Sequence, residues 1–341
     1  MSGEQKGKTG VLLLSALLLG SILLALSFGR FSLSLETLLR LLASRIIELT
    51  PSWSEVEAQV VWSIRVPRVA LAAIIGAGLA LAGAALQSVF RNPLADSQIL
   101  GVSSGAALGG VVGIIFISPG WPAMLGAFVG GIGALFAIFW LAGGNRGGRG
   151  GTVMLVLAGL VVSAVGAAGI ALLKYAADPD NQLPAVVFWL LGSLAAADAE
   201  RLWLSLPPIA LSALVILGLR FHLSALAVGE ADAQRLGVPV RRVRLLALAA
   251  SGLATAASVA ACGVVGWVGL VVPHLVRLGF GTDFRWFFLN TLLGGAAYLI
   301  LVDTDARSVV AAEIPLGALT ALLGAPIFAV FIRRLRGGAH G

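Results

Sequence analysis

The chain has 341 residues, of which 59% are hydrophobic and 11% charged. A soluble domain carries about 25% charged residues, so an ordinary cytosolic enzyme, a disordered chain and a nucleic-acid binder are excluded despite a pI near 10.7. The formal charge of +7 on so apolar a chain points to membrane orientation before it points to acidic partners. The single cysteine, Cys262, excludes an intramolecular disulfide framework and a cysteine-only metal site. Glycine, 44 residues, is near twice its usual share, which in a membrane lets helices approach closely.

A membrane-crossing helix needs about 20 apolar residues. In chain order, charge-free runs predict spans over Val11–Phe28 and Val69–Phe90. The run Ser97–Asn145 is broken into two spans by Ser118-Pro119-Gly120-Trp121-Pro122. Further spans are predicted over Gly150–Leu173, Leu202–Leu219, Trp286–Val302 and Ile314–Ile332. Leu33–Leu49 has Glu36, Arg40, Ser44 and Glu48 at spacing four and reads as a helix lying on the outer surface.

Two segments are ambiguous by length alone. Leu245–Val276 is long for one span and short for two, and Asn181–Ala197 suits either a span or a short re-entrant helix. Charge decides both, because inside loops carry the excess Lys and Arg. Splitting the first near Cys262-Gly263 and keeping the second from crossing puts 15 Lys and Arg inside and 8 outside. Merging the first gives 11 against 12, and letting the second cross gives 7 against 16. The expectation is an all-α polytopic membrane protein of about ten transmembrane helices. It forms a single domain over 1–341, with both termini cytoplasmic.

Several chemistries are absent. The proposed spans hold almost no ionisable groups; His274 and Glu313 sit near span ends, which argues against a proton-coupled pump. Gly7-Lys8-Thr9 lacks the upstream glycine and strand of a phosphate-binding loop. No metal-ligand spacing or nucleophile constellation occurs. The pairs Gly105/Gly109, Gly109/Gly113 and Gly126/Gly130 read as close packing within one chain before a dimer seam.

Three loops carry information. Ile64-Arg65-Val66-Pro67-Arg68 places two arginines outside, against the trend. They suit headgroup contact or docking of acidic side chains from an extracytoplasmic partner. The inside stretch Arg220–Arg244 contains Gly229-Glu230-Ala231-Asp232-Ala233-Gln234-Arg235-Leu236-Gly237, a short helix ended by Gly237. It is either a solvated linker or a lever for a motor subunit. Arg91-Asn92-Pro93-Leu94-Ala95-Asp96 is a tight inside turn, either a plain connection or part of a gate.

These motifs, together with Ile99-Leu100-Gly101-Val102-Ser103-Ser104-Gly105-Ala106, Gly266-Trp267-Val268-Gly269-Leu270-Val271-Val272-Pro273-His274-Leu275-Val276-Arg277, Glu313-Ile314-Pro315-Leu316-Gly317 and Gly324-Ala325-Pro326, resemble the FecCD-type permeases. Those are the membrane subunits of type II ABC importers for ferric siderophores, haem and cobalamin. The likeness runs from about Arg65 to the C-terminus. It departs at Asp283-Phe284-Arg285, where the family usually has Asp-His-Arg, and in the charge order of Asp303–Arg307.

The resemblance implies a type II importer permease fold, a homodimer, two cytoplasmic ATPases and a periplasmic binding protein in the bacterial inner membrane. It implies a transport subunit that is not itself an enzyme, with no covalently bound cofactor, ATP being used by the partner. Carried over, Arg65, Arg68 and Arg307 face acidic residues of the binding protein. Gly229, Glu230, Ala233, Leu236 and Gly237, within a coupling segment of about 222–242, sit in a cleft of the ATPase. Asn92 and Pro93 belong to the cytoplasmic gate. Among cargoes, an iron compound comes first, with haem ahead of a ferric siderophore and cobalamin as the alternative. None of His222, His274 and His340 is placed as an axial ligand at the entry, and Tyr175 and Tyr298 suit interface anchors better than substrate contacts. The competing classes are a secondary carrier and a structural scaffold, and neither explains the outer arginines.

Overall fold

Lipid offers the backbone no hydrogen-bond partners, so a chain this apolar must satisfy its amides within helices. The computed structural model describes residues 3–29, 31, 33–143, 149–309 and 313–337, with the side chains of 149–150 and 330–337 left aside; His340 lies outside the described residues. In order the helices are α1 (Gly3–Ser27), α2 (Leu35–Ala43), α3 (Glu55–Gln59), α4 (Val66–Phe90), α5 (Val102–Phe116), α6 (Trp121–Leu141), α7 (Arg149–Ala176) and α8 (Gln182–Leu190). They continue with α9 (Ala199–Gly218), α10 (Arg220–Val228), α11 (Glu230–Arg235), α12 (Val240–Cys262), α13 (Val268–Phe280), α14 (Phe287–Ser308) and α15 (Leu316–Gly337). Seven of the described helices are long and apolar enough to cross a membrane, and Val102–Phe116, Val268–Phe280 and Leu316–Ala329 are shorter apolar helices, which together match the ten expected.

The two ambiguous segments resolve as the charge count indicates. Gly263, at φ +73°, ends α12, and a five-residue connection leads to α13. A side chain is disfavoured at that φ, so glycine sets the break. The helix α8 has nine residues, too short to cross. Its start is fixed by Gln182 Nε2 donating to the Ile115 carbonyl at 3.0 Å, and Trp189 reaches the level of Gly110. It therefore dips into the bundle and returns.

The second span is longer than its charge-free run. Glu55–Phe90 is one continuous 36-residue helical rod, with a π-helical turn over Val60–Arg65 joining α3 to α4. At 1.5 Å per residue it measures about 54 Å. Ser54 and Glu57 form a reciprocal capping box at its start, and Pro67, inside the rod, lies just past the π-helical turn.

Helix α4 lies at the centre and packs on α14, α12, α9 and α13. It runs antiparallel to α14, with Gly76 against Gly295 and Arg68 against Asp303, and parallel to α13, with Gly83 against Gly269. These glycines have no room for a Cβ, because the facing backbone occupies that space. Lipid supplies no hydrophobic drive between helices, so contact of this closeness is what holds them. The same device joins α5 and α6: Gly105, Gly109 and Gly113 meet Gly130, Gly126 and Pro122 in antiparallel register. The small-residue pairs read from the sequence thus pack within the chain. Helix α2 buries Leu38 and Leu41 and exposes Leu35 and Leu39.

Gly109→Val should lower stability by about 1–3 kcal/mol, as overpacking does. Gly133→Ala, whose Cβ would meet nothing within 4 Å, should leave it unchanged. Thermal unfolding of the two variants in one detergent compares them.

Candidate functional site

Three groups of residues concentrate polar chemistry on this apolar frame. The first lies at the end of the bundle where α1 finishes and α4 begins. Arg65, Arg68 and Arg307 are 3%, 7% and 7% exposed. Arg68 is held by two carboxylates at once: its Nε and Nη2 donate to Asp303 at 2.9–3.1 Å, and its Nη1 and Nη2 donate to Glu313 at 3.0 Å. Planar two-point pairing of this kind is the strong form of the Arg–carboxylate bond. Arg65 donates to the carbonyls of Leu26, Ser27 and Phe31, and Arg307 donates to that of Ala25. Both guanidinium groups therefore cap the C-terminal end of α1, where unpaired carbonyls and the helix dipole favour a cation.

The structure brings together Arg65, Arg68 and Arg307, the three residues the resemblance assigns to docking, and engages them with internal oxygens. The two outer arginines that ran against the charge trend are balanced inside the protein, by Asp303, Glu313 and the end of α1. In the sequence Glu313 stands out as an acid near a span end and Asp303 only as part of the altered charge order of Asp303–Arg307. Their partner Arg68 lies 235 and 245 residues away, and no local pattern announces a pairing of that range.

The second group is the elbow α10–α11 at the opposite end of the bundle. Leu219 separates α9 from α10, and Gly229 separates α10 from α11. Glu230 pairs with Arg244 at 3.1 Å, and Arg244 is 2% exposed, so the acid anchors α11 onto α12. Ala233 is fully buried beneath the turn. Gly237, at φ +76°, ends α11, with its N–H on the Gln234 carbonyl and the Val238 N–H on the Ala233 carbonyl. The outer side carries two bare aliphatic side chains, Leu236 at 65% and Val228 at 77% exposed, beside the exposed Asp232–Arg235 ion pair. A rigidly footed elbow with two bare aliphatic side chains suits contact with another protein.

The third group is the turn after α4. Arg91 takes the left-handed conformation at φ 48°, and the Asn92 side chain accepts the Leu94 N–H at 2.9 Å. Asn92 and Pro93 are exposed. Asn92 also lines a cavity of about 280 Å³ with Ile99 and with Thr152, Val156 and Leu157 of α7. Two residues here carry structure that the motif alone did not announce. Asp96 is buried and accepts the Ser97 N–H at 2.7 Å. Burial pushes its carboxyl up, and the Ser97 donors work against that. Gln87 ties α4 to α13 at both ends of its amide, donating to the Gly269 carbonyl at 3.0 Å and accepting from Arg277.

The remaining candidates scatter. Tyr175 is 92% exposed, whereas Tyr298 packs against the core. His274 is buried within α13, and His222 lies on α10. Among the described residues no group of three or more His, Cys, Asp or Glu could hold a metal ion.

A ten-helix bundle with a broken α12–α13 pair, a dipping α8 and a footed elbow is the type II ABC importer permease fold. A solved structure described as the inward-facing conformation of a metal-chelate type ABC transporter superposes with a TM-score of 0.84 at 37% identity, covering 95% of this chain and 98% of that one. Residues 17–334 match the FecCD transport family, and the chain belongs to it. Similar relatives include the molybdate import system permease MolB of Haemophilus influenzae, 38% identical over 95% of both chains. The hemin transport system permease HmuU of Yersinia pestis is 39% identical over 95% of this chain and 96% of that one. The cobalamin import system permease BtuC of Halobacterium salinarum is 38% identical over 80% and 73%. The chain is thus an ABC permease, a multi-pass membrane protein.

Removing Arg68 leaves Asp303 buried without its main partner. Arg68→Gln should cost roughly 3–5 kcal/mol, as breaking a buried ion pair does. The double variant Arg68→Met/Asp303→Leu should recover much of that loss. Thermal unfolding in detergent reads both. A selective loss of partner binding with stability intact would instead assign Arg68 a docking role.

Proposed function

We propose that this permease works as a homodimer in the inner membrane with both termini cytoplasmic, driven by two cytoplasmic ATPases and fed by a periplasmic binding protein. The observation that carries the reading is the α10–α11 elbow. Its foot is fixed by the Glu230–Arg244 pair, and its tip presents Val228 and Leu236 to a partner. Gly229, Glu230, Ala233, Leu236 and Gly237 then serve as the coupling segment. Ala233 and Glu230 hold the elbow to the bundle, while Leu236 contacts the motor subunit. The Asn92-Pro93 turn forms part of the cytoplasmic gate. Closure of the ATPases on ATP pushes the elbow, and the bundle exchanges outward-open for inward-open states. Direction follows from the difference in cargo affinity that ATP imposes between those states.

For cargo we place an iron compound first, and haem first among these, with a ferric siderophore next and cobalamin as the alternative. The support is the scarcity of charged side chains in the spans, which suits a bulky chelate that must pass without sticking, and the relative named for hemin. A relative named for molybdate has similar identity, so a small oxyanion belongs in the test. The chain is reconstituted in liposomes with its ATPase and binding protein. Haem, a ferric siderophore, cobalamin and molybdate are offered in turn. ATP-dependent accumulation of haem is the expected result. Accumulation of molybdate alone would overturn the cargo while keeping the importer, and uptake without any ATPase would overturn the importer itself.

Leu236→Glu tests the coupling. The side chain is 65% exposed, so the fold should survive. Substrate-stimulated ATP hydrolysis should fall roughly tenfold, the scale of losing about 1.4 kcal/mol at an interface anchor.

A further inference from the structure

Helices α6 and α9 both pack on α12 but make little contact with one another. Between them opens a cavity of about 240 Å³. Its walls are Trp121, Met124, Leu125 and Phe128 of α6 and Leu204 and Pro208 of α9, and its floor is Ala257 and Ala260 of α12. Leu125 is 56% and Leu204 41% exposed, so the crevice opens sideways, toward lipid.

One polar atom faces this apolar space. Ser205 lines the cavity and is 1% exposed, and its Oγ has no hydrogen-bond partner among the described residues. A buried hydroxyl left unpaired costs about 1–3 kcal/mol, so it calls for a partner. One helical turn nearer the outer end, Arg201 extends over the same side, its Nη1 3.5 Å from the Ala261 carbonyl beside the cavity floor. Among the described residues Arg201 forms no ion pair. The Asp198 carboxylate is taken by the Arg201 backbone N–H at 2.7 Å, capping α9, and Glu200 accepts the Trp121 indole N–H at 3.1 Å.

Arg201, Ser205 and Pro208 stand at positions i, i+4 and i+7 of α9 and so share one face of the helix. Read from the rim inward, that face offers a cation, then an unpaired hydroxyl about 6 Å deeper, then an apolar crevice. A phospholipid presents the same sequence of groups: phosphate, ester carbonyl, acyl chain. The indole of Trp121 at the rim is the residue type that sits at headgroup level.

We propose that this crevice is a binding site for a single phospholipid of the outer leaflet. The phosphate pairs with Arg201, an ester carbonyl accepts the Ser205 hydroxyl, and one acyl chain lies between α6 and α9 on Ala257 and Ala260. Glu200 beside the rim favours a headgroup that carries an amine beyond the phosphate, such as phosphatidylethanolamine, over phosphatidylglycerol.

The test takes the full chain from membranes holding both lipids into mild detergent and counts retained lipids by native mass spectrometry. The wild type is expected to keep one phosphatidylethanolamine. Ala257→Leu, which fills the crevice, should lose it. Arg201→Gln should speed its loss roughly tenfold, the equivalent of about 1.4 kcal/mol, and Arg201→Lys should restore part of the retention. Ser205→Ala provides a readout that a purely structural role would not move: lipid retention falls while unfolding of lipid-stripped protein stays the same. Equal lipid retention by the wild type and Ala257→Leu would overturn the proposal, as would a crevice occupied by detergent alone.

Discussion

The second half of helix α4 is enclosed on every side, and the distance at which its neighbours can approach governs the rest of the bundle. Nothing in its sequence resembles an amphipathic stripe; its buried residues run almost without a gap from Leu79 to Val89. In water such a helix would be driven into a core by apolar burial. In lipid that drive vanishes between helices, and the contact must come from shape. Glycines supply it: Gly76 against Gly295 and Gly83 against Gly269 bring backbone onto backbone. Once α4, α13 and α14 are set at this spacing, the Gln87 amide can bridge to Gly269, and Arg68 can reach Asp303.

The polar network where α1, α4 and α14 converge depends on the same frame. Charges are costly in a membrane protein unless paired, yet this chain encloses three arginines where α1, α4 and α14 converge. The carboxylates of Asp303 and Glu313 hold Arg68, Asp303 also lies 3.7 Å from Arg307, and the open carbonyls at the end of α1 accept from Arg65 and Arg307. One guanidinium thus joins α4 to both α14 and the approach to α15, and its neighbours fasten α1. At the other end the Glu230–Arg244 pair does a comparable task for the elbow. Each end of the bundle is fastened by ions and its middle by glycine.

Much of the architecture was legible in the sequence because membrane crossing is a matter of length and charge. The break at Gly263 and the non-crossing Asn181–Ala197 followed from where the arginines fall, and the intrachain use of Gly105, Gly109 and Gly126 followed from their spacing. The start of α4 was misplaced because a charge-free run was taken as its measure. Arg65 and Arg68 interrupt that run but not the helix, since their charges are met from elsewhere in the chain. For the same reason the internal partners of Arg65, Arg68 and Arg307 were not legible in the sequence. The short helix ending at Gly237 was legible because its cap is local.

The glycine contacts also shape what genetics can do with this protein. A bulky substitution in an ordinary core is often rescued by trimming the side chain it strikes. At Gly83 the obstacle is the main chain of Gly269, and at Gly76 that of Gly295. A main chain has nothing left to trim. Second-site suppressors of such alleles cannot arise at the position in contact; they have to move a whole helix, and would cluster on its far side or in the loops that set its height.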